Sequence, residues 1–278
     1  MRINKYISKS GIASRREADQ IIAEGRVKIN GEVVYDMSQQ VSDGDIVLVD
    51  DKEIPKPANF VYYLFHKPKG FICSRKDPEE RPSVYDIVDE LPYRLESVGR
   101  LDFNTSGALL FTNDGSLANA LTHPSMNIPK RYHVKIWKCP PKRQLDRIRK
   151  GIHLEDGKTK PCKLRILEQT DAENTWIEIT VTEGRNRLIR KLFEAIGHPV
   201  NKLQRMSFAT VSLGDLPSKQ IRPLTQNEIK RLKDLQSGSD PRNAGNTKTY
   251  KKGFARPKPK KVKPLHKKKS KFQKKSRR

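Results

Sequence analysis

Long apolar runs, paired cysteines and metal-spaced histidines are all missing from this 278-residue chain. No apolar stretch approaches the roughly 18–20 residues that a membrane span needs. The opening MRINKYISKS has no apolar core of the kind a secretory signal carries, so no such signal is expected. The three cysteines, Cys73, Cys139 and Cys162, are odd in number and widely separated. They fit a reducing compartment and form neither a disulfide framework nor a zinc motif. His66, His123, His133, His153, His198 and His266 show no ligand spacing, so no metal is expected. A Walker loop and a dinucleotide fingerprint are also absent, and no cofactor is expected. Glu79-Glu80 and Glu155-Asp156 are adjacent carboxylates without a marked partner and read as exposed loop charge. Trp137 and Trp176 fall in strand-like patterns and are expected in the core rather than as stacking platforms.

What the chain does have is positive charge, unevenly spread. Its net charge is +25. Residues 241–278 hold 17 Lys+Arg and no Asp or Glu. This segment has no apolar periodicity and cannot bury enough surface to offset its ordering entropy, so residues 236–278 are expected to be a disordered basic tail. Counterion release makes nucleic acid the leading partner for such a tail, with a solubility tail or a weak membrane-surface contact as the alternatives.

The length allows one large or two smaller domains, and two folded units are expected, 1–58 and 59–235. In the first, Ile3, Tyr6 and Ile7 fall at helical spacing and Gly11 can end the helix. Ser14-Arg15-Arg16-Glu17 reads as a capping box. Ala18, Ile21 and Ile22 continue a helix that Gly25 stops. Asn30-Gly31 between β-formers signals a hairpin, and Asp43-Gly44-Asp45 a second turn. Residues 1–28 carry 7 basic and 3 acidic side chains, residues 29–58 carry 2 and 7. Arg2, Lys5, Lys9, Arg15, Arg16, Arg26 and Lys28 are therefore candidates for one positive face.

Residues 59–235 alternate strand-like runs with a few helices. Val61–His66 and Gly70–Cys73 flank the turn Lys67-Pro68-Lys69-Gly70. Further strands are expected at 108–111, 132–137, 163–167 and 176–181, and helices at 116–122 and 188–196. Strands are not regularly interleaved with helices. That argues for an α+β fold with a mixed, largely antiparallel sheet, and against a doubly wound parallel one. Within this region Gly99-Arg100-Leu101-Asp102-Phe103-Asn104-Thr105-Ser106-Gly107 puts one carboxylate in a polar, glycine-flanked loop before an apolar strand. A turn-capping Asp is the ordinary reading of such a residue; a catalytic loop carboxylate is the other.

Two of these segments resemble known families. NKYISKSGIASRREADQIIAEGRVKINGEVV resembles the S4-type RNA-binding module. GRLDFNTSGALLFTNDG resembles the signature of bacterial pseudouridine synthases, specifically the ribosomal-RNA RsuA/RluB family, which places an S4 module before the catalytic domain. The resemblance covers about residues 1–235. It implies that Asp102 is the essential carboxylate, that Tyr132 is the tyrosine of a Lys-x-Tyr-x-Val strand, and that Arg190 is the basic residue of a third motif. It departs from that third motif at Leu188, where Gln is usual. Residues 73–86 resemble the stretch found in the large-subunit RluB type.

The reaction so implied breaks the N–C glycosidic bond of uridine, turns the base and joins its C5 to the sugar. A carboxylate can act in it as nucleophile at the sugar carbon or as a base that removes a sugar proton. Arg190 would orient an ionised Asp102 as its ion-pair partner, Tyr132 would offer a face to the displaced base, and the target base must leave its stack. Arg75, Arg81, Arg100, Arg185 and Arg187 join the basic residues above as candidate RNA contacts. The partner implied is ribosomal RNA or a pre-ribosomal large-subunit particle, with no membrane, for a chain expected to be monomeric and cytoplasmic. The alternative is a non-catalytic ribosome-assembly factor that binds RNA through the same module. A DNA-binding protein would share the charge, but no helix-turn-helix or zinc-finger pattern supports one.

Overall fold

The computed structural model describes residues 1–57, 59–170 and 174–237; the side chains of residues 169 and 170 are also left aside. The expected tail, 236–278, lies almost wholly outside the described residues. All described residues belong to one compact unit, Met1–Asn246. Among them, no helix is long and apolar enough to cross a membrane.

The first fifty residues fold as their local signals direct. Helix α1 (Ile3–Lys9) is followed by α2 (Arg15–Ala23), whose Ser14 and Glu17 make the reciprocal capping box. Both helices press Ile3, Ile7, Ala18 and Ile22 into a small core. Strands β1 (Val27–Ile29) and β2 (Glu32–Val33) pair across Asn30 and Gly31, both with positive φ as a tight hairpin turn needs. Strands β3 (Val47–Val49) and β4 (Lys52–Glu53) complete a sheet of order β2-β1-β3-β4.

The chain then enters a large sheet through β5 (Tyr62–Lys67). A short helix α3 (Tyr85–Val88) and strand β6 (Glu96–Ser97) lead to β7 (Ser106–Thr112) and helix α4 (Gly115–Thr122). Strand β8 (Lys130–Trp137), helix α5 (Lys142–Lys150) and the hairpin β9 (His153–Leu154) and β10 (Gly157–Lys158) follow. Next come β11 (Lys163–Thr170), β12 (Asn174–Val181), α6 (Leu188–Glu194) and β13 (Val200–Phe208). The short strands β14 (Val211–Ser212) and β15 (Ile221–Pro223) and helix α7 (Gln226–Gln236) end the described fold.

The sheet order is β11-β12-β8-β13-β7-β5-β15, with β14 on β13 and β6 on β7. Every pairing is antiparallel except β13 with β7. The expected α+β class with a mixed, largely antiparallel sheet is what forms. One face packs a core that includes Phe65, Leu109, Phe111, Val134, Ile136 and Ile177 with α5 and α6. The opposite face packs Tyr62, Leu64, Ala108 and Leu110 against α4 and α7.

Two expectations need correction, and one strand, β13, was not among the expected elements. Gly70–Cys73 forms no strand; Ile72 makes a single bridge to Ser83. The segment instead donates hydrogen bonds to the loop described below, from Gly70 N and Cys73 Sγ. Strand β13, which joins the two halves of the sheet, carries no clear alternation because it bulges twice against β8 and holds a buried Arg205 where an apolar residue is usual. Trp137 is 48% exposed and Trp176 is half-buried; neither belongs to a core cluster. Both stand on the sheet face that α5 and α6 do not cover.

Candidate active site

Asp102 lies in the loop between β6 and β7, and the surrounding residues hold the backbone of that loop, not its carboxylate. Each carbonyl from 101 to 105 accepts a hydrogen bond. Cys73 Sγ donates to Leu101 O at 3.5 Å. Thr105 N donates to Asp102 O at 2.9 Å, and Lys67 Nζ donates to the same oxygen at 3.1 Å. Gly70 N donates to Phe103 O at 2.9 Å. Arg190 Nη2 donates to Asn104 O at 2.9 Å, and Lys67 Nζ to Thr105 O at 2.9 Å. The Lys67-Pro68-Lys69-Gly70 turn, read from sequence only as a turn, thus supplies two of the loop's fasteners. The carboxylate itself is half-exposed, and no described side chain makes a hydrogen bond or ion pair with it.

Beneath the loop the strand register lines up one row across the sheet: Lys67 opposite Gly107, Gly107 beside Arg205, Arg205 opposite Tyr132. Gly107 has φ +117, and a Cβ there would sit 2.2 Å from Arg205 O. Only glycine allows β7 and β13 to approach this closely. Tyr132 is buried in the same core as Leu101, so the register carries it to the loop's side of the sheet.

Two cations of this row are fully buried. Burial draws the Lys67 ammonium down to about 8; nearby Cys73 and Asp102 act the other way, and Arg205 adds to the lowering. Arg205 Nε donates to Ala108 O at 2.7 Å, while its Nη2 is buried with no hydrogen-bond partner. Sequence reasoning missed both residues. Lys67 could have been found as a lysine ending an apolar strand with no room to reach water, whereas Arg205 leaves no such signal.

Arg190 departs from expectation. It makes no ion pair with Asp102; its guanidinium bonds Asn104 O and, at 3.2 Å, Val200 O. Burial lowers its pKa, with Arg187 adding to this and Asp102 opposing. Its Nε is buried without a partner. Arg190 thus joins α6 to the Asp102 loop through backbone and reaches Asp102 through its field. Leu188, the departure from the usual Gln, is a buried core residue.

The expected RNA contacts divide into two groups. Arg2, Lys5, Arg15, Arg16, Arg100 and Arg187 are exposed, and no described carboxylate pairs with them. Arg26 is clamped by Asp50, with Nε–Oδ1 at 2.6 Å and Nη2–Oδ2 at 2.7 Å, and by Glu24 at 2.8 Å. Lys28 pairs with Asp51 at 2.6 Å. Arg185 holds Asp156 and the carbonyls of Gly157 and Lys158. Arg75 pairs with Asp89, and Arg81 holds Asp77 at 2.7 Å. These last five are engaged within the fold, so their charge is already partly neutralised. Among the described residues no cluster could hold a metal ion.

The chain is also similar to known proteins. Residues 61–195 match the family model described as RNA pseudouridylate synthase, and residues 1–47 match the S4 domain. The chain is 43% identical over 235 residues to the ribosomal large subunit pseudouridine synthase B of Bacillus subtilis (strain 168), covering 84% of this chain and 96% of that one. It is 40% identical over 234 residues to an uncharacterized RNA pseudouridine synthase of Aquifex aeolicus (strain VF5), covering 84% and 93%. A crystal structure of a pseudouridylate synthase superposes with a TM-score of 0.58 at 33% identity, over 84% of this chain and 99% of that one.

Proposed function

The chain belongs to the RNA pseudouridylate synthase family and is a pseudouridine synthase, and from that premise we propose that its substrate is a uridine of ribosomal RNA in the large subunit. The relative from Bacillus subtilis carries that target in its name, and the similarity runs through the S4 domain as well as the catalytic region. The observation that carries the catalytic assignment is the Asp102 loop: five successive carbonyls are held by donors while the carboxylate is left free.

In this reading Asp102 attacks the sugar carbon or removes a sugar proton, and both routes require the carboxylate ionised. Lys67 and Arg205 supply buried positive charge beneath it. Arg190 fixes the loop against α6 through Asn104 O and Val200 O. Tyr132 faces the displaced base. The base reaches the site by leaving its stack, and the free cations Arg100 and Arg187 take phosphates beside it. Arg2, Lys5, Arg15 and Arg16 contact the RNA from the S4 domain. The enzyme works as a monomer in the cytoplasm, and residues 241–278 add sequence-independent affinity through charge.

The test is incubation of the full chain with small- and large-subunit rRNA transcripts, followed by carbodiimide-dependent reverse-transcription mapping. One new pseudouridine in the large-subunit RNA, absent with Asp102→Asn, is expected. Modification of the small-subunit RNA alone would overturn the target assignment.

A further inference from the structure

The sheet face behind the catalytic row is covered over only half its width. Helices α4 and α7 pack on the β5–β7 half through Leu117, Leu121, Leu232 and Leu235. On the β8–β12–β11 half no described helix packs there. Along β8, Tyr132, Val134 and Ile136 are buried toward the catalytic side, so Arg131, His133, Lys135 and Trp137 point to the other. The register sets Trp176 opposite Lys135 and Asn174 opposite Trp137. The two tryptophans of the chain are therefore diagonal neighbours on adjacent strands, about 7–8 Å apart. Trp137 is the more open, and Lys138, held at φ +56, places its ammonium 4.3 Å from the ring centre.

The charge on this half-face is positive. Its carboxylates are Glu178 and Glu168. Glu178 is held at 2.8 Å by Arg165, at 3.3 Å by His133 and at 3.9 Å by Arg131. Lys135 has no carboxylate partner among the described residues, and β13 sets Lys202, also without one, directly opposite it. Two like charges facing each other across strands destabilise the pair unless an anion lies between them. Neighbouring aromatic side chains on an open sheet, flanked by unpaired cations, are the elements with which sheet surfaces stack unpaired bases and hold their phosphates. A second copy of this chain, or its own basic segment 241–278, would bring more positive charge and is disfavoured.

We infer that this open half-face is a second RNA contact: Trp137 and Trp176 stack unpaired bases of the substrate RNA, and Lys135 with Lys202 takes a phosphate, on the side of the sheet opposite the catalytic loop. The inference rests on the chain acting on a structured RNA. It adds a base-reading platform that the S4 domain and the active site do not supply, and it is reached only by an RNA long enough to pass around the sheet.

Intrinsic tryptophan fluorescence reads this face directly, because the chain has no other tryptophan. Full-length protein, with Trp137→Phe and Trp176→Phe to separate the two signals, is titrated with the large-subunit rRNA domain that mapping identifies and with a minimal stem-loop around the target uridine. Quenching and protection from acrylamide are expected with the long RNA, with the same midpoint as binding measured by filter retention. Trp137→Ala and the pair Lys135→Glu with Lys202→Glu should each weaken binding of the long RNA roughly tenfold. Turnover of the minimal stem-loop at saturation should be unchanged. Unaltered emission and acrylamide access while the long RNA binds and is modified would overturn the inference and leave the enzyme assignment intact. Quenching by large-subunit proteins but not by RNA would also overturn it. Failure to form pseudouridine with any RNA would instead strike the proposed function.

Discussion

The S4 domain and the Asp102 loop hold their charges in opposite ways. In the S4 domain, Arg2, Lys5, Arg15 and Arg16 project from two short helices and meet no described partner. At the loop, the backbone is fastened at every carbonyl from 101 to 105, and buried cations lie beneath it. Phosphate attraction falls off slowly with distance and tolerates loosely held side chains. Bond breaking at one sugar carbon needs a carboxylate placed to a fraction of an ångström. The difference teaches that the two regions are built for different tasks: on the function proposed above, affinity would be spread over many exchangeable groups and chemistry concentrated in a few that are not.

The comparison can be broken at its strongest point first. Asp102→Asn should lower kcat by several orders of magnitude, with RNA affinity and the thermal midpoint nearly unchanged. Activity above a few per cent of wild type in a clean preparation would remove the carboxylate from the mechanism.

Next in size is Lys67→Met, which takes two donors from the loop and one from Pro68 O. A fall of roughly a hundredfold in kcat with little change in KM is expected, as for a positioning residue. The wild type should show the same dependence by pH. The Lys67 ammonium is charged below about 8 and becomes an amine above it. A base whose pKa is lowered by folding weighs against the folded state below that value, and the penalty is relieved between about 8 and 10.5, its unperturbed value. Activity should therefore fall as pH rises through about 8, while Lys67 contributes no loss of stability in that window. Parallel pH profiles of kcat and of the urea midpoint check this; a joint collapse would point to unfolding instead.

Arg190 sharpens the comparison further, because its contact is with backbone. Arg190→Lys keeps the charge but cannot span Asn104 O and Val200 O, so a loss of roughly tenfold in kcat is expected. Arg190→Met should cost more. If lysine restores full activity, the field alone matters and the backbone tie does not.

On the S4 side the effects should be smaller and of another kind. Arg15→Gln with Arg16→Gln should weaken RNA binding a few-fold and reduce the slope of log K against log salt by about 1 to 2, with kcat at saturation unchanged. Arg26→Gln should change that slope less, since Asp50 and Glu24 already neutralise Arg26. A larger effect from Arg26 than from Arg15 would reverse the division of the basic residues made above.

Local signals were enough to specify the N-terminal helices, the Asn30-Gly31 hairpin and most strands of the large sheet, because capping, turn chemistry and alternation act within a few residues. The motif around Asp102 was also legible, since a glycine-flanked carboxylate before an apolar strand is written in consecutive residues. What consecutive residues could not carry is which groups meet across the sheet. Lys67, Gly107, Arg205 and Tyr132 are far apart in sequence and form one row only because β5, β7, β13 and β8 pair in that register. The same pairing turned Arg190 toward Asn104 O rather than the carboxylate, and left Trp137 on an open face although its strand reads as core. A strand's alternation says that its two sides differ. Which side is covered depends on where the helices come to rest, and only the packed tertiary structure decides that.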